Sequence, residues 1–136
     1  MTETHHASEH GTHTSHGKGV LEGLQDESAA LRKAIPEVYD GFSSLHKAAL
    51  AAGAVDVKTK ELIALALSVA GKCDGCIASH ARGAARAGAS LEEAAEAIGV
   101  NFLMNGGPAT VYGPRAYAAF REFHAQFAKL REAKGQ

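Results

Sequence analysis

Tryptophan is absent from this chain of 136 residues, which also has only three prolines, two cysteines and 6% aromatic residues. Two cysteines are too few for a disulfide-rich scaffold. No apolar run approaches the roughly 20 residues that span a bilayer, and the polar N-terminus lacks the apolar segment of a secretory signal. The formal net charge of −1 supplies no basic field for nucleic acid. We therefore expect a cytoplasmic protein that binds neither membranes nor nucleic acid.

The first 19 residues differ in composition from the rest of the chain. They hold five of the eight histidines and, after Met1, no aliphatic residue larger than alanine. Burial cannot offset the ordering entropy of such a segment, so we predict a disordered tail at 1–19 and one domain at 20–136. The tail is either a solvated extension or a collector of divalent metal through His5, His6, His10, His13 and His16.

Apolar residues recur at helical spacing along the rest of the chain, and no segment alternates in the manner of a strand or hairpin. The last helix is expected to follow Pro108 or Pro114. The pattern predicts an all-α fold, an antiparallel bundle of about six helices. Residues that typically cap, start or end helices divide it: Pro36, Gly53, Asp56, Gly71, Gly88, Ser90 with Glu93, and Gly106-Gly107-Pro108.

Both cysteines lie in one stretch, residues 61–80. Cys73 and Cys76 form a C-x-x-C motif, His80 follows four residues later, and Glu61 leads the apolar run before them. If one helix ends before the motif and the next opens at it, both sulfurs lie in a first helical turn, where free N–H groups and the helix dipole favour a thiolate. The spacing i, i+3, i+7 places both cysteines and the histidine on one helix face. An acid–base group therefore lies one turn from a thiol.

These four residues suit redox chemistry. Cys76, one turn before His80, is the thiol we expect to be activated, and Cys73 is expected to be the more exposed partner for exchange. Glu61 would orient or charge His80, as a carboxylate orients a catalytic imidazole. Peroxide would convert Cys76 to a sulfenic acid, Cys73 would close a disulfide on it, and an external dithiol would restore both thiols.

Other interpretations of the same residues remain open. Cys73, Cys76 and His80 are three potential zinc ligands, with Glu61 or water as the fourth, although a structural zinc site normally has a second ligand pair. The pair would then serve a metal-binding or redox-sensing protein without enzymatic activity. The cysteines are alternatively small buried side chains, and Glu61 a solvated residue near a helix start.

Three further polar residues lie outside this stretch. His46 falls within the second predicted helix, between apolar and charged neighbours, and we interpret it as a surface or packed histidine and not as a ligand. Arg115 and His124 have no partner close in sequence. The aromatic residues of the last helix are interpreted as core or subunit contacts.

The pattern Glu61-x11-Cys73-x2-Cys76-x3-His80 resembles the signature of the alkylhydroperoxidase AhpD-like family, within the carboxymuconolactone decarboxylase superfamily. The segment from Gly106 to Ala116 is also similar to single-domain members, and the likeness covers about residues 20–128. The resemblance implies an all-α fold assembled as trimers or hexamers, with the active site close to a subunit boundary. It implies peroxidase or disulfide-reductase chemistry without a bound cofactor, supported by an external dithiol or lipoyl-type reductant.

The resemblance also assigns roles by position. Cys76 matches the cysteine that attacks the hydroperoxide, Cys73 matches the partner that forms the disulfide, and Glu61 with His80 matches the proton relay. One position departs from the pattern, because the best-known peroxidase members have a histidine immediately before the second cysteine and this chain has Gly75. A carboxymuconolactone decarboxylase-type reaction is the alternative within the superfamily, but that branch does not depend on a cysteine pair.

Overall fold

A computed structural model describes residues 14–135, and these residues form six α-helices and no strand. The predicted all-α fold is confirmed. His16 is described and half-buried, whereas the tail histidines at 5, 6, 10 and 13 lie outside the described residues. The division at residue 19 stays a prediction. The helices are α1 (Lys18–Ala34), α2 (Pro36–Leu50), α3 (Val57–Ala70), α4 (Asp74–Arg86), α5 (Leu91–Asn105) and α6 (Gly107–Ala133).

Side-chain caps start α3 and α5 at the residues that the sequence predicts. The Asp56 carboxylate accepts the Thr59 backbone N–H at 2.7 Å, and hydrogen bonding to Thr59 holds the pKa of Asp56 below its usual value. The Ser90 hydroxyl accepts the Glu93 backbone N–H at 3.0 Å. Each cap satisfies a donor that a helix start leaves free, so the short loops before these helices are fixed by local chemistry.

A single ion pair on the surface joins these two helices near their starts. Lys58 lies 2.9 Å from the Glu93 carboxylate. Their hydrogen bond lowers the pKa of Glu93 and raises the pKa of Lys58. Both side chains are more than a third exposed, so the pair orients α3 and α5 more than it stabilises the fold.

Helix α4 lies at the centre of the bundle, packed against α3 on one side and α6 on the other. Its inner face carries Ile77 and four alanines, all buried. Small side chains let neighbouring helices approach closely, and the larger core residues come from the partners, such as Leu65 of α3 and Phe120 of α6. The C-x-x-C motif before and within the first turn of α4 is therefore held on a buried element.

The sequence allowed the last helix to start after Pro108 or after Pro114, and the structure shows an earlier start. The helix begins at Gly107, with Pro108 in its first turn, and continues through Pro114 to Ala133. A proline inside a helix lacks the N–H that would bond to the carbonyl four residues back. Pro114 is exposed, so that carbonyl faces a side of the helix that water can reach.

Helices α1 and α2 lie outside this bundle and bury no residue completely. The start of α1 is fixed to α6, because Ser15 and the backbone N–H of Lys18 both donate to the Glu122 carboxylate. On α2, the apolar residues Val38 and Phe42 are each 64% exposed. None of the helices within residues 14–135 is long and apolar enough to cross a membrane.

Candidate functional site

A tight turn brings the C-x-x-C motif to the start of α4. Gly71 ends α3, donating its N–H to the Leu67 carbonyl at 2.8 Å, and the Cys73 N–H reaches the Ser68 carbonyl at 3.2 Å. Between them Lys72 has a φ of 52°, a left-handed conformation uncommon for residues other than glycine. Cys73 is then the N-cap of α4, so the motif opens a helix as the spacing predicts.

Cys73 and Cys76 form a disulfide, with their Cα atoms 5.2 Å apart. The backbone N–H of Cys76 donates to the sulfur of Cys73 at 3.2 Å. Cys76 is exposed and Cys73 is half-buried, so the expectation that Cys73 is the more exposed of the two is wrong for this chain. The reason is its capping role, because an N-cap side chain folds back over the helix end while the first turn faces outward.

Glu61 and His80 form the buried half of the site. Their side chains come from α3 and α4, and His80 Nδ1 lies 2.8 Å from a Glu61 carboxylate oxygen. Glu61 is 8% exposed, which rules out the solvated glutamate considered from the sequence. Gly83 makes this approach possible, since a Cβ there would overlap the Glu61 carboxylate. The pair satisfies a carboxylate that would be costly to bury alone.

His46 of α2 completes the surroundings of His80. The two imidazole rings are stacked, with their centroids 5.9 Å apart and their planes inclined by 16°. From the sequence, His46 was interpreted as a surface or packed histidine and was not linked to the site. Nothing local marks it, because its partner lies 34 residues further along the chain.

Arg115 of α6 is the second residue that sequence analysis missed. Its Nη1 atom lies 3.2 Å from both carboxylate oxygens of Asp74, the residue that follows Cys73. The guanidinium also lies over the Tyr112 ring, 4.7 Å from its centroid. His124, the other residue without a local partner, instead lies against the Phe120 ring, away from these contacts.

The described part of the chain contains no cluster of three or more His, Cys, Asp or Glu side chains that could hold a metal ion. Within the candidate site both sulfurs are bonded to each other and His80 Nδ1 is bonded to Glu61. The zinc interpretation therefore has no ligand set in this disulfide form.

The sequence profile of the carboxymuconolactone decarboxylase family matches residues 36–125. The chain belongs to this family. An uncharacterized protein of Cupriavidus necator is 36% identical over 108 residues, which are 79% of this chain and 96% of that protein. An uncharacterized protein in the cox locus of Paracoccus denitrificans is 40% identical over 98 residues, which are 70% of this chain and 88% of that one.

A solved structure gives the same fold. The crystal structure of a carboxymuconolactone decarboxylase family protein from Legionella pneumophila superposes with a TM-score of 0.74 and 44% identity, covering 77% of this chain and 94% of that chain. The family expected from the spacing of Glu61, Cys73, Cys76 and His80 is therefore confirmed, and so is its all-α fold. Family membership alone leaves both decarboxylase and peroxidase chemistry to be considered.

In this carboxymuconolactone decarboxylase family member, the position that departs from the peroxidase pattern, Gly75, has a close neighbour from α1. Gly75 lies beneath α1, and a Cβ built there would be 3.0 Å from a methyl carbon of Leu24. A side chain at position 75 would therefore have to displace Leu24. Leu24 is 39% exposed, and a shift of its methyl group by a few tenths of an ångström would admit a Cβ.

Proposed function

We propose that this chain is a thiol-dependent peroxidase or disulfide oxidoreductase that reduces hydroperoxides through the Cys73–Cys76 pair. The observation that carries the proposal is the hydrogen bond of 2.8 Å between Glu61 and His80, one helical turn beyond the exposed Cys76. A dithiol that cycles needs a place to deliver and collect protons. A buried carboxylate and imidazole beside the pair provide it.

In the reaction, the Cys76 thiolate attacks the outer oxygen of the hydroperoxide. A sulfur–oxygen bond forms, the oxygen–oxygen bond breaks, and the leaving alkoxide takes a proton from the His80–Glu61 pair to become the alcohol. Cys73 then attacks the Cys76 sulfenic acid, forming the disulfide and releasing water. An external dithiol of the lipoyl type reduces the disulfide by exchange and is itself oxidised to a disulfide, so each hydroperoxide consumes two electrons.

Two features of the capped motif support this division of roles. The sulfur of Cys73 accepts an N–H bond at the helix start, which lowers the energy of a thiolate there and makes Cys73 a good resolving or leaving group. Cys76 is exposed and shares its helix face with His80, so an incoming hydroperoxide meets Cys76 first. Decarboxylation of a lactone is the alternative within the family, and it makes no use of the sulfurs. Assembly as a trimer or hexamer is part of the proposal.

The test uses reduced protein and a stoichiometric amount of an organic hydroperoxide. Intact mass is expected to fall by two hydrogens as the disulfide forms. Cys76→Ser is expected to stop hydroperoxide consumption, because the attacking sulfur is gone. Cys73→Ser is the matched control: it also prevents the disulfide, yet it should still consume one equivalent and leave a sulfenic acid that dimedone traps.

Three results would contradict the proposal. Unchanged hydroperoxide consumption in Cys76→Ser would show that this sulfur does not attack. Sulfenic acid on Cys73 in place of Cys76 would reverse the roles. A reduced wild-type protein that consumes no hydroperoxide with any dithiol donor would indicate a redox sensor or a decarboxylase instead.

A further inference from the structure

Between the two cysteines in the sequence lies a carboxylate, Asp74, which forms an ion pair with an arginine of another helix. Asp74 lies directly after Cys73 and two residues before Cys76, at the first position of α4. Arg115 reaches it from α6, 41 residues along the chain, with one nitrogen 3.2 Å from each carboxylate oxygen. The Asp74 and Arg115 side chains are 46% and 36% exposed.

The charge of Asp74 acts against the chemistry of its neighbours. A negative group beside a thiol disfavours the thiolate, and the thiolate is the form that attacks peroxides and exchanges disulfides. The Arg115 cation opposes that field at the sulfurs, to an extent that water limits because both side chains are more than a third exposed. The Tyr112 ring under the guanidinium, one turn earlier on α6, restricts the arginine to this position.

We infer that Arg115 is a positioning and charge-compensating residue of the redox site: held over Tyr112, it neutralises Asp74 and so keeps the Cys73–Cys76 dithiol reactive. The inference rests on the proposed redox function of the pair. It assigns a task in the redox site to a side chain of α6. The contacts of Arg115 are with Asp74 and Tyr112, so its charge acts on the sulfurs at a distance and opposes that of Asp74.

Other charged or titratable groups near the motif also influence the pKa of the thiols. Helix α1 places the apolar Leu24 beside Gly75. The charged or titratable groups that the other elements bring to the motif or to His80 are Lys72 before Cys73, Asp74 and His80 of α4, Glu61 of α3, His46 of α2 and Arg115 of α6.

The test is a titration of the reduced thiols. The alkylation rate of each cysteine is measured as a function of pH, and mass spectrometry distinguishes the two cysteines. Arg115→Gln leaves Asp74 uncompensated and is expected to raise the pKa of the more acidic thiol by about half a unit. Asp74→Asn removes the negative charge and is expected to lower that pKa by a similar amount. The disulfide of Arg115→Gln should be harder to reduce, and that of Asp74→Asn easier.

Two further variants separate charge from structure. Arg115→Lys keeps the cation and should hold the thiol pKa close to that of the wild type. Arg121→Gln removes an exposed cation from the same helix without touching Asp74, and should leave the pKa unchanged. A double Arg115→Gln, Asp74→Asn variant should have a thiol pKa between those of the two single variants and close to that of the wild type, because both opposed charges are gone.

The two single variants must shift the pKa in opposite directions for the inference to stand. Shifts of the same sign would show that the pair only holds the loop in shape, and no shift in either would show that the charges do not reach the sulfurs. Neither result depends on turnover. Loss of hydroperoxide consumption in the wild type would contradict the proposed function and leave the thiol titration readable.

Discussion

His80 is held at two points, by Glu61 at Nδ1 and by the His46 ring against its face. The hydrogen bond fixes which ring nitrogen points at the carboxylate, and the stacked ring limits rotation about the remaining axis. In the proposed reaction, the second ring nitrogen is the one that would exchange protons at the thiols. Since α2 makes few other contacts with the bundle, this stack is also one of the links that joins α2 to the site.

We expect His46→Ala to slow sulfenic acid formation at Cys76 by about tenfold, because His80 loses its ring support and not its proton partner. His46→Phe keeps a flat ring without titratable nitrogens, so it should retain most of the rate. The measurement is single-turnover consumption of hydroperoxide over a range of pH. A Phe variant as slow as the Ala variant would mean that His46 carries protons, which contradicts a role in stacking alone.

Gly83 offers a test of the buried pair that does not alter either partner. Gly83→Ala places a methyl group into the Glu61 carboxylate, so we expect a loss of about 1–3 kcal/mol in the free energy of unfolding and slower thiol chemistry. Gly23→Ala is the matched control, since Gly23 is exposed in α1 with nothing near its Cβ position. That variant should gain about 0.5–1 kcal/mol from helix propensity. Equal denaturation midpoints for the two variants would contradict the packing argument.

The sequence predicted the site residues that lie at helical spacing within one segment. It missed the residues that come to the site only through the packing of distant helices. Cys73, Cys76 and His80 were predictable because helical periodicity stacks them. Glu61 required the resemblance as well as its place at the head of an apolar run. His46 and Arg115 reach the site from α2 and α6, and no local pattern encodes where those helices pack.

At the scale of elements, caps and breakers gave most helix limits because they act within four residues. Asp56 and Ser90 receive the backbone N–H groups that their positions predict. The start of α6 was ambiguous because Pro108 and Pro114 are both acceptable first-turn residues. Only packing decides between them: Ala109 and Gly113 are buried against the bundle, which extends the helix back to Gly107.

Helix α1 and the motif are coupled through Leu24 and Gly75. Gly75→His, which restores the residue of the peroxidase pattern, must push Leu24 aside, so we expect it to lower the free energy of unfolding. In a Leu24→Ala background the same change should cost about 1 kcal/mol less, because the space is already open. Denaturant unfolding of the four proteins of this cycle measures the coupling. Strictly additive effects would show that α1 does not determine the residue at position 75.

At the scale of the whole molecule, the single chain buries few of its large apolar side chains. Among residues 14–135, nine of the fifteen buried hydrophobic residues are alanines, whereas sixteen large hydrophobic residues are exposed. Exposed apolar side chains in such number are typical of surfaces that another protein covers. The third helix illustrates this, since Leu65 is fully buried while Leu67 is 65% exposed. The apolar residues of α3 after Glu61 therefore divide between the core of the chain and its surface.

Seven of these sixteen exposed side chains belong to α3 and α5. A groove of about 550 Å³ runs between them, lined by residues that include Ile63, Leu67 and Met104. Leu103, the residue before Met104 in α5, is 84% exposed, the largest exposure among the large hydrophobic residues of the described chain. The proposed trimer or hexamer would cover this face, as an apolar centre is the usual core of a stable interface.

Leu103→Glu tests that assembly. A carboxylate buried in an apolar interface loses its hydration without gaining a partner, so we expect the association constant to fall at least about tenfold. Gln126→Glu adds the same charge at an exposed polar position of α6 and should leave the assembly intact. Sedimentation velocity over a dilution series measures both variants beside the wild type. A wild-type protein that sediments as a monomer at every concentration, or a Leu103→Glu variant indistinguishable from it, would mean that something other than a second copy of the chain covers the α3 and α5 face.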